Sequence, residues 1–252
     1  MLTDTHCHLA DPVFGGRTDA VLAQARAAGV ARFLVPSARA EDFAAVAALH
    51  RPPQIYGALG VHPWYAEEWR AEAGERMAAV LRAQPKMWVG EIGLDYHPRH
   101  RANAALQLAV LRAQLALAAQ LGRPVVLHNL KATADLAAEL KRQRFQAGGI
   151  AHAFSGSLEE AKLLIGCGLL IGIGTLVLRP NARKVREAAA KLPLEHLVLE
   201  TDSPFMPPWG EAENTPANVC RVADEVAALR GISREAVAAA TEANIGRLLA
   251  PA

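Results

Sequence analysis

Cysteine is scarce in this chain: Cys7, Cys167 and Cys220 are its only three. Scattered so widely, they cannot build a disulfide framework and read as small buried thiols in a reducing compartment. Long apolar runs are missing too. Although 52% of the 252 residues are hydrophobic, no stretch approaches the roughly 20 apolar residues of a membrane span, so no membrane partner is expected. The N-terminus, Met1 to His6, lacks the pattern of a secretory signal, and cytoplasm is the expected setting. Charge of one sign is absent as well: 27 Lys and Arg face 25 Asp and Glu, for a net +2. That balance excludes a strongly basic duplex-binding face and leaves only brief, local contact with nucleic acid at a pocket. No linker, charge block or low-complexity tract divides the sequence, so one domain over 1–252 is expected. No feature signals a protein partner.

What is present is an alternation of short apolar runs with longer helical segments. The runs are Met1–Cys7, Ala31–Val35, Ile55–Gly60, Met87–Ile92, Val125–Leu127, Gly149–Ala151, Leu169–Ile173 and Leu197–Glu200. The spacing predicts helices over Asp19–Ala28, Glu41–His50, Glu67–Ala83, Ala102–Leu121, Ala132–Arg144, Leu158–Gly166, Arg179–Ala190 and Pro216–Arg230. Leu108, Leu111, Leu115 and Ala118 illustrate the three- and four-residue repeat. Gly29, Gly122 and Gly168 stand where helices should stop. Eight strand–helix units in one domain length predict an α/β fold, a TIM (β/α)8 barrel, with an extra C-terminal helix over Arg234–Leu249 covering the outside or one end. An open doubly wound sheet is the alternative, weakened because no Gly-x-Gly-x-x-Gly follows the first run.

The chemistry-bearing residues fall at the ends of these runs. His6 and His8 close the first; in an extended chain residues two apart share a face, so both imidazoles point one way and Cys7 the other. His128 ends the fifth run, His152 the sixth, Glu91 lies late in the fourth and Asp202 follows the eighth. In a barrel these positions meet at the C-terminal mouth. Four imidazoles and two carboxylates gathered there need a partner, and a divalent metal accepts both donor types. Six donors exceed the needs of one tetrahedral ion, so two divalent ions (Zn, Mn or Mg) are expected, with Glu91 between them. One ion takes His6, His8 and Asp202; the other takes His128 and His152. Asp202 is also placed to act as general base.

Five stretches, Asp4-Thr5-His6-Cys7-His8-Leu9, Gly60-Val61-His62-Pro63, Gly90 to Tyr96, His152-Ala153-Phe154-Ser155-Gly156 and Glu200-Thr201-Asp202-Ser203-Pro204, occur in an order that closely resembles the TatD-type metal-dependent hydrolases. Gln107-x-x-x-Leu111-x-x-Gln114 and Asn214-Thr215-Pro216 fit the same pattern. The resemblance implies a metal-dependent hydrolase of ester bonds, often a phosphodiesterase with deoxyribonuclease activity. It also implies metal binding by His6, His8, Glu91, His128, His152 and Asp202, and a place near the scissile group for His62. Where the family commonly has His-x-Arg on the fifth strand, this chain reads His128-Asn129-Leu130-Lys131. Lys131 could replace the arginine only as a point charge.

Substrate contacts are therefore expected from His62, Tyr96 and Lys131, with Asp95 lining the pocket. Glu200 is a candidate partner for a ligating histidine. His97 and His100 read as an exposed polar loop, His50 and His196 as structural. Trp64, Trp69 and Trp88 read as packing residues and Trp209 as the one tryptophan to test for base stacking. The expected substrate is nucleic acid or a small phosphodiester. The same metals would serve a carboxylic ester or amide, since polarising either oxygen is one act. A non-catalytic metal-binding protein is the weakest reading, because none of the six donors is missing.

Overall fold

The computed structural model describes residues 1–250. Eight parallel strands run in sequence order around one sheet: β1 (Leu2–Asp4), β2 (Val30–Pro36), β3 (Ile55–Leu59), β4 (Trp88–Asp95), β5 (Val125–Leu130), β6 (Gly149–Ala151), β7 (Leu169–Ile173) and β8 (Leu197–Leu199). The loop after β1 closes the ring onto β8: Thr5 N donates to Leu199 O at 3.0 Å, His8 N to Ser203 O at 2.7 Å and Asp202 N to His6 O at 2.8 Å. Among the described residues nine α-helices intervene or follow: α1 (Thr18–Ala27), α2 (Phe43–Leu49), α3 (Ala71–Ala83), α4 (Ala104–Leu121), α5 (Thr133–Arg142), α6 (Leu158–Ile165), α7 (Arg183–Lys191), α8 (Val219–Arg230) and α9 (Arg234–Leu249). This is the expected TIM barrel.

Side-chain parity divides the core in two. Leu34, Tyr56, Ala58, Trp88, Val126, Ile150, Leu170 and Val198 form an inner cluster, which Ile245 of α9 joins. Their neighbours Phe33, Val35, Leu59, Val89, Val125, Leu127, Ala151, Ile171 and Leu199 belong to the outer cluster shared with the helices. Extended chain alternates its side chains, so each strand feeds both layers. The C-terminal helix therefore closes one end: Asn244 donates to Leu194 O and Leu197 O, both at 2.8 Å, at the entrance of β8.

The boundaries differ from the sequence reading where turns intervene. The helix expected from Glu67 begins at Ala71 because Pro63–Glu68 is a separate 3-10 segment, and the one expected from Arg179 begins at Arg183 after a 3-10 turn at Thr175–Leu178. β1 stops at Asp4, and β5 continues past His128 to Leu130 because Leu127 to Leu130 pair with Ile92 to Asp95 of β4. The expectation that no segment reaches membrane-spanning length also needs correction. Arg101–Leu121 is helical and 21 residues long, and an 18-residue window within it has a mean hydropathy of 1.4, enough by length and composition. Its apolarity has a local cause, since Val110, Leu111, Leu115 and Ala118 are buried as α4 packs on β4.

Candidate metal centre

The inward parity that builds the inner core continues into the site. Val126 is followed two residues on by His128, Ile150 by His152, and Val198 by Glu200 and then Asp202, all turned to the barrel axis. β4 needs a device to do the same, because Trp88 and Glu91 are three residues apart yet both point inward. The pairing of β4 with β5 shifts register between Val89 and Ile92, and Glu91 N is captured by Ser37 O of the β2 loop at 2.9 Å. A bulge of this kind re-aims a side chain without ending the strand. Gly90, at φ 158°, leaves the room: a Cβ there would lie 2.6 Å from that of Val126.

The six expected donors are brought together. His6 Nε2 and His8 Nε2 are 3.0 Å apart. Glu91 Oε2 lies 3.3 Å from the first and 3.6 Å from the second, and Asp202 Oδ1 lies 3.5 and 3.4 Å from the same two atoms. Ligands about 2.0–2.2 Å from a tetrahedral ion stand roughly 3.3–3.6 Å from one another, and these four carboxylate–imidazole separations fall in that range. The second carboxylate oxygen, Glu91 Oε1, faces His152 Nε2 at 2.6 Å, His128 Nδ1 at 3.1 Å and His62 Nε2 at 3.3 Å, with the first two nitrogens 3.4 Å apart. Glu91 thus offers one oxygen to each group. Imidazole nitrogens and carboxylate oxygens gathered this closely, as in His6, His8 and Glu91 and in His62, Glu91 and His128, suit divalent-metal binding.

A further layer holds these donors. His128 turns Nε2 to Asp95 Oδ2 at 3.1 Å, leaving Nδ1 for the site; such a carboxylate fixes ring orientation and tautomer. Glu200 Oε1 takes the amide of Ala153 at 2.5 Å and lies 3.8 Å from His152 Nδ1. Asp4, fully buried, accepts from Thr201 N at 3.0 Å, Thr201 Oγ1 at 2.6 Å and His6 N at 3.3 Å, tying the loops that carry His6 and Asp202. Two buried glutamines on α4, seven residues apart on one face, act as substitute backbone. Gln114 bonds both N and O of Val61, and Gln107 both N and O of Asp95. They set the loops bearing His62 and Asp95.

Burial and charge decide the protonation states. Burial, reinforced by the His152 ring stacked 3.8 Å away, pushes His6 down to about 4. Burial likewise pushes His62 to about 4. His152 is also buried, yet the Glu91 carboxylate beside it raises it to about 9. Burial would raise Asp202, but the His8 hydrogen bond and the surrounding imidazoles hold it below the ordinary carboxylate range. Glu200 is raised to about 7 chiefly by burial.

His8, His62, Glu91, His128, His152 and Asp202 line a cavity of about 340 Å³, with Ala38, Trp64, Tyr65, Leu130, Leu176, Phe205 and Met206 around them. Among the described residues no lysine or arginine lines it. His62, expected near the scissile group, lies in the wall, and its Nδ1 accepts from Trp64 N at 3.1 Å while Nε2 faces Glu91. Asp95 lines the cavity as expected. Tyr96 and Lys131 do not. Each has the outward parity of its strand: Tyr96 donates its hydroxyl to Asp135 at 2.8 Å, and Lys131 is exposed beyond Leu130, at φ 56°.

Trp64 and His100 also differ from the sequence reading. Trp64 is not a packing residue but is 51% exposed at the cavity, and His100 stacks on its ring. Trp209 is 76% exposed and outside the lining. Asp4, Phe205 and the aromatic role of Trp64 were missed. The Asp4-Thr5-His6 and His62-Pro63-Trp64 motifs held the only available signals.

Residues 3–250 match the family model described as TatD related DNase. An uncharacterized metal-dependent hydrolase, YjjV of Escherichia coli K12, is 40% identical over 224 residues, covering 87% of this chain and 86% of its own. The 3'-5' ssDNA/RNA exonuclease TatD of Erwinia tasmaniensis is 31% identical over 97% of this chain and 98% of its own. The crystal structure of YjjV superposes with a TM-score of 0.90 at 38% identity, covering 98% and 97% of the two chains.

Proposed function

Because this chain belongs to the family of TatD-related DNases, we propose that it is a metal-dependent hydrolase that cleaves a phosphodiester at the end of a single nucleic-acid strand. The observation that carries the reading is the pair of donor groups sharing the two oxygens of Glu91 at the floor of one cavity. His6, His8, Asp202 and Glu91 Oε2 would hold one divalent ion; Glu91 Oε1, His128 and His152 would hold the other, with His62 beside it. Bound there, the ions would supply Lewis acidity to the attacked group and to the water that attacks it.

The chain's own part is proton handling, orientation and exclusion of solvent. Asp202 is ionised at neutral pH, lines the cavity and can take the proton of the attacking water on its carboxylate. Asp95 keeps the His128 ring turned, and the low value of His6 keeps that ring in the neutral form that ligates. A cavity of about 340 Å³ suits one small group, and the net charge of +2 offers no extended track for a duplex. The name of the Erwinia relative, an exonuclease of single strands, agrees with both points. For the compartment we propose the cytoplasm, since the three cysteines are all free.

One observation favours a second substrate class. Leu130 and the absence of lysine or arginine from the lining leave a phosphate with only the metals to neutralise it, whereas a carboxylic ester or amide needs no such cation. The deciding experiment strips the protein with chelator, restores Zn, Mn or Mg in turn, and compares a single-stranded oligonucleotide, a chromogenic phosphodiester and a carboxylic ester. Metal-dependent turnover of the first two supports the proposal. Turnover of the ester alone transfers it to the second class.

A further inference from the structure

The exposed aromatic side chains at the mouth of the cavity have no part in holding metal. Trp64 leaves half of its surface open, yet its ring is fixed from several sides. Its Nε1 donates to Asp95 Oδ2 at 2.6 Å, and the His100 ring stacks on it at 5.2 Å with 21° between the planes. The His62 ring stands edge-on to it at 4.8 Å. Beside the other donor group, Phe205 and Met206 are 49% and 37% exposed, and the Phe205 ring stands edge-on to His8 at 5.3 Å. A large apolar ring left in water is unfavourable. Holding it rigid there also sacrifices the freedom to turn away. Both costs suit a surface prepared for a flat partner, because a pre-set ring loses little entropy when that partner arrives.

The lining decides what kind of partner. With no cationic side chain on the walls, recognition outside the metal centre cannot come from charge, and flat apolar contact is the main alternative. A heterocyclic base meets this description, since every base presents a π-face and stacking tolerates any sequence. We propose that Trp64 is the stacking wall for the base of the substrate's terminal nucleotide, with Asp95 and His100 as the positioning residues that hold its ring. This rests on the phosphodiesterase reading above. Because Asp95 also receives His128 Nε2 through the same oxygen, Oδ2, the wall and the second donor group are registered to one another. A base seated on the tryptophan would then place its nucleotide at a set distance from the metals.

The test compares two single-stranded oligonucleotides that differ only at the 3' terminus, one carrying a normal nucleotide and the other an abasic tetrahydrofuran residue. The metal-loaded wild type should cleave the base-bearing end with a kcat/KM about 10- to 100-fold higher. Trp64→Leu should bring that ratio close to one, chiefly through KM, while Trp64→Phe, which keeps a flat ring, should retain most of it. An equal rate on both ends in the wild type, or a ratio unchanged in Trp64→Leu, overturns the proposal. Calorimetry separates its failure from that of the phosphodiesterase reading. Metal-free and metal-loaded protein are titrated with thymidine 5'-monophosphate and with deoxyribose 5-phosphate. Tighter binding of the nucleotide, lost in Trp64→Leu, sustains the stacking wall even if neither oligonucleotide is cleaved. Equal binding of the two refutes it.

Discussion

Replacing Asp95 by asparagine should weaken one metal site and spare the other. The substitution keeps the size of the side chain while removing its charge and one acceptor. Asp95 Oδ2 accepts from His128 Nε2 at 3.1 Å and from Trp64 Nε1 at 2.6 Å, and Oδ1 accepts from His97 N at 2.8 Å. An asparagine oxygen can serve only one of these two positions, so its NH2 must face an N–H donor at the other. Burial would raise the Asp95 carboxyl, but the bonds from His128, His97 and Trp64 hold it well below the ordinary range. The wild-type contacts are therefore made to a carboxylate.

A hydrogen bond to a charged group contributes about 1.5–3 kcal/mol, or roughly 10- to 150-fold in an equilibrium constant. Loss of such a partner behind a metal-binding histidine typically costs about 10- to 100-fold in affinity. The two ranges agree. Of the donor atoms, Asp95 contacts only His128, so the group of His6, His8 and Asp202 should keep its affinity. Calorimetric titration of Zn or Mn into chelator-treated Asp95→Asn should show one binding phase weakened about 10- to 100-fold and the other close to wild type. Equal weakening of both phases, or of neither, would refute the division of the donors into two groups bridged by Glu91. A thermal melt of the metal-free protein controls for general loss of fold.

Asp202→Asn should lower kcat by about 100- to 10,000-fold while at least one metal stays bound, as expected for loss of a general base; a variant with near wild-type kcat removes that role. Gly172→Ala should destabilise the protein by about 1–3 kcal/mol through overpacking, because the new Cβ would lie 2.3 Å from Glu200 Oε2 and 3.1 Å from His152 Cα. An unchanged denaturation midpoint would show that Glu200 is free to move. Glu139, on α5, supplies a test in pH. It is buried, which raises its pKa, but bonds from Arg142, Gln143 and Arg112 bring it down to about 2. With the folded value below the ordinary 4.5, its stabilisation is full above about pH 4.5 and is lost as pH falls through about 2. The melting-temperature gap between wild type and Glu139→Gln should therefore hold steady from pH 5 upward and shrink below pH 4.5. A gap that persists at pH 2 contradicts the role given to that ion cluster.

Much of the site was legible because parity is a local property. His6 and His8 are two residues apart, and extended chain sets both on one face whatever surrounds it. The same rule, carried along β4 and β5 from Glu91 and His128, puts Asp95 and Leu130 inward and Tyr96 and Lys131 outward. Choosing Tyr96 and Lys131 for substrate contact followed chemical type in place of parity. The departure at Leu130 was visible in the sequence; that no other cation fills the gap was not, because it depends on every loop at the mouth. Trp64 was misread for a related reason. Beside a proline in a short apolar segment, a tryptophan has the composition of a packed residue, and Asp95 and His100, 31 and 36 residues away, fix its ring in the open.

The sequence alone determined the order of eight strand–helix units, and with it a barrel whose donors gather at one rim. It also determined the six residue types that make metal binding the natural outcome, since alternation and helical spacing are enforced within a few residues by backbone sterics. Tertiary structure decided the rest. It set the register shift that turns Glu91 inward, the separation of its two oxygens between two groups of nitrogens, and the bonds by which Asp4, Asp95, Gln107 and Gln114 hold the loops. These depend on contacts between segments 12 to 197 residues apart, and no short-range pattern encodes the distances at which such segments meet.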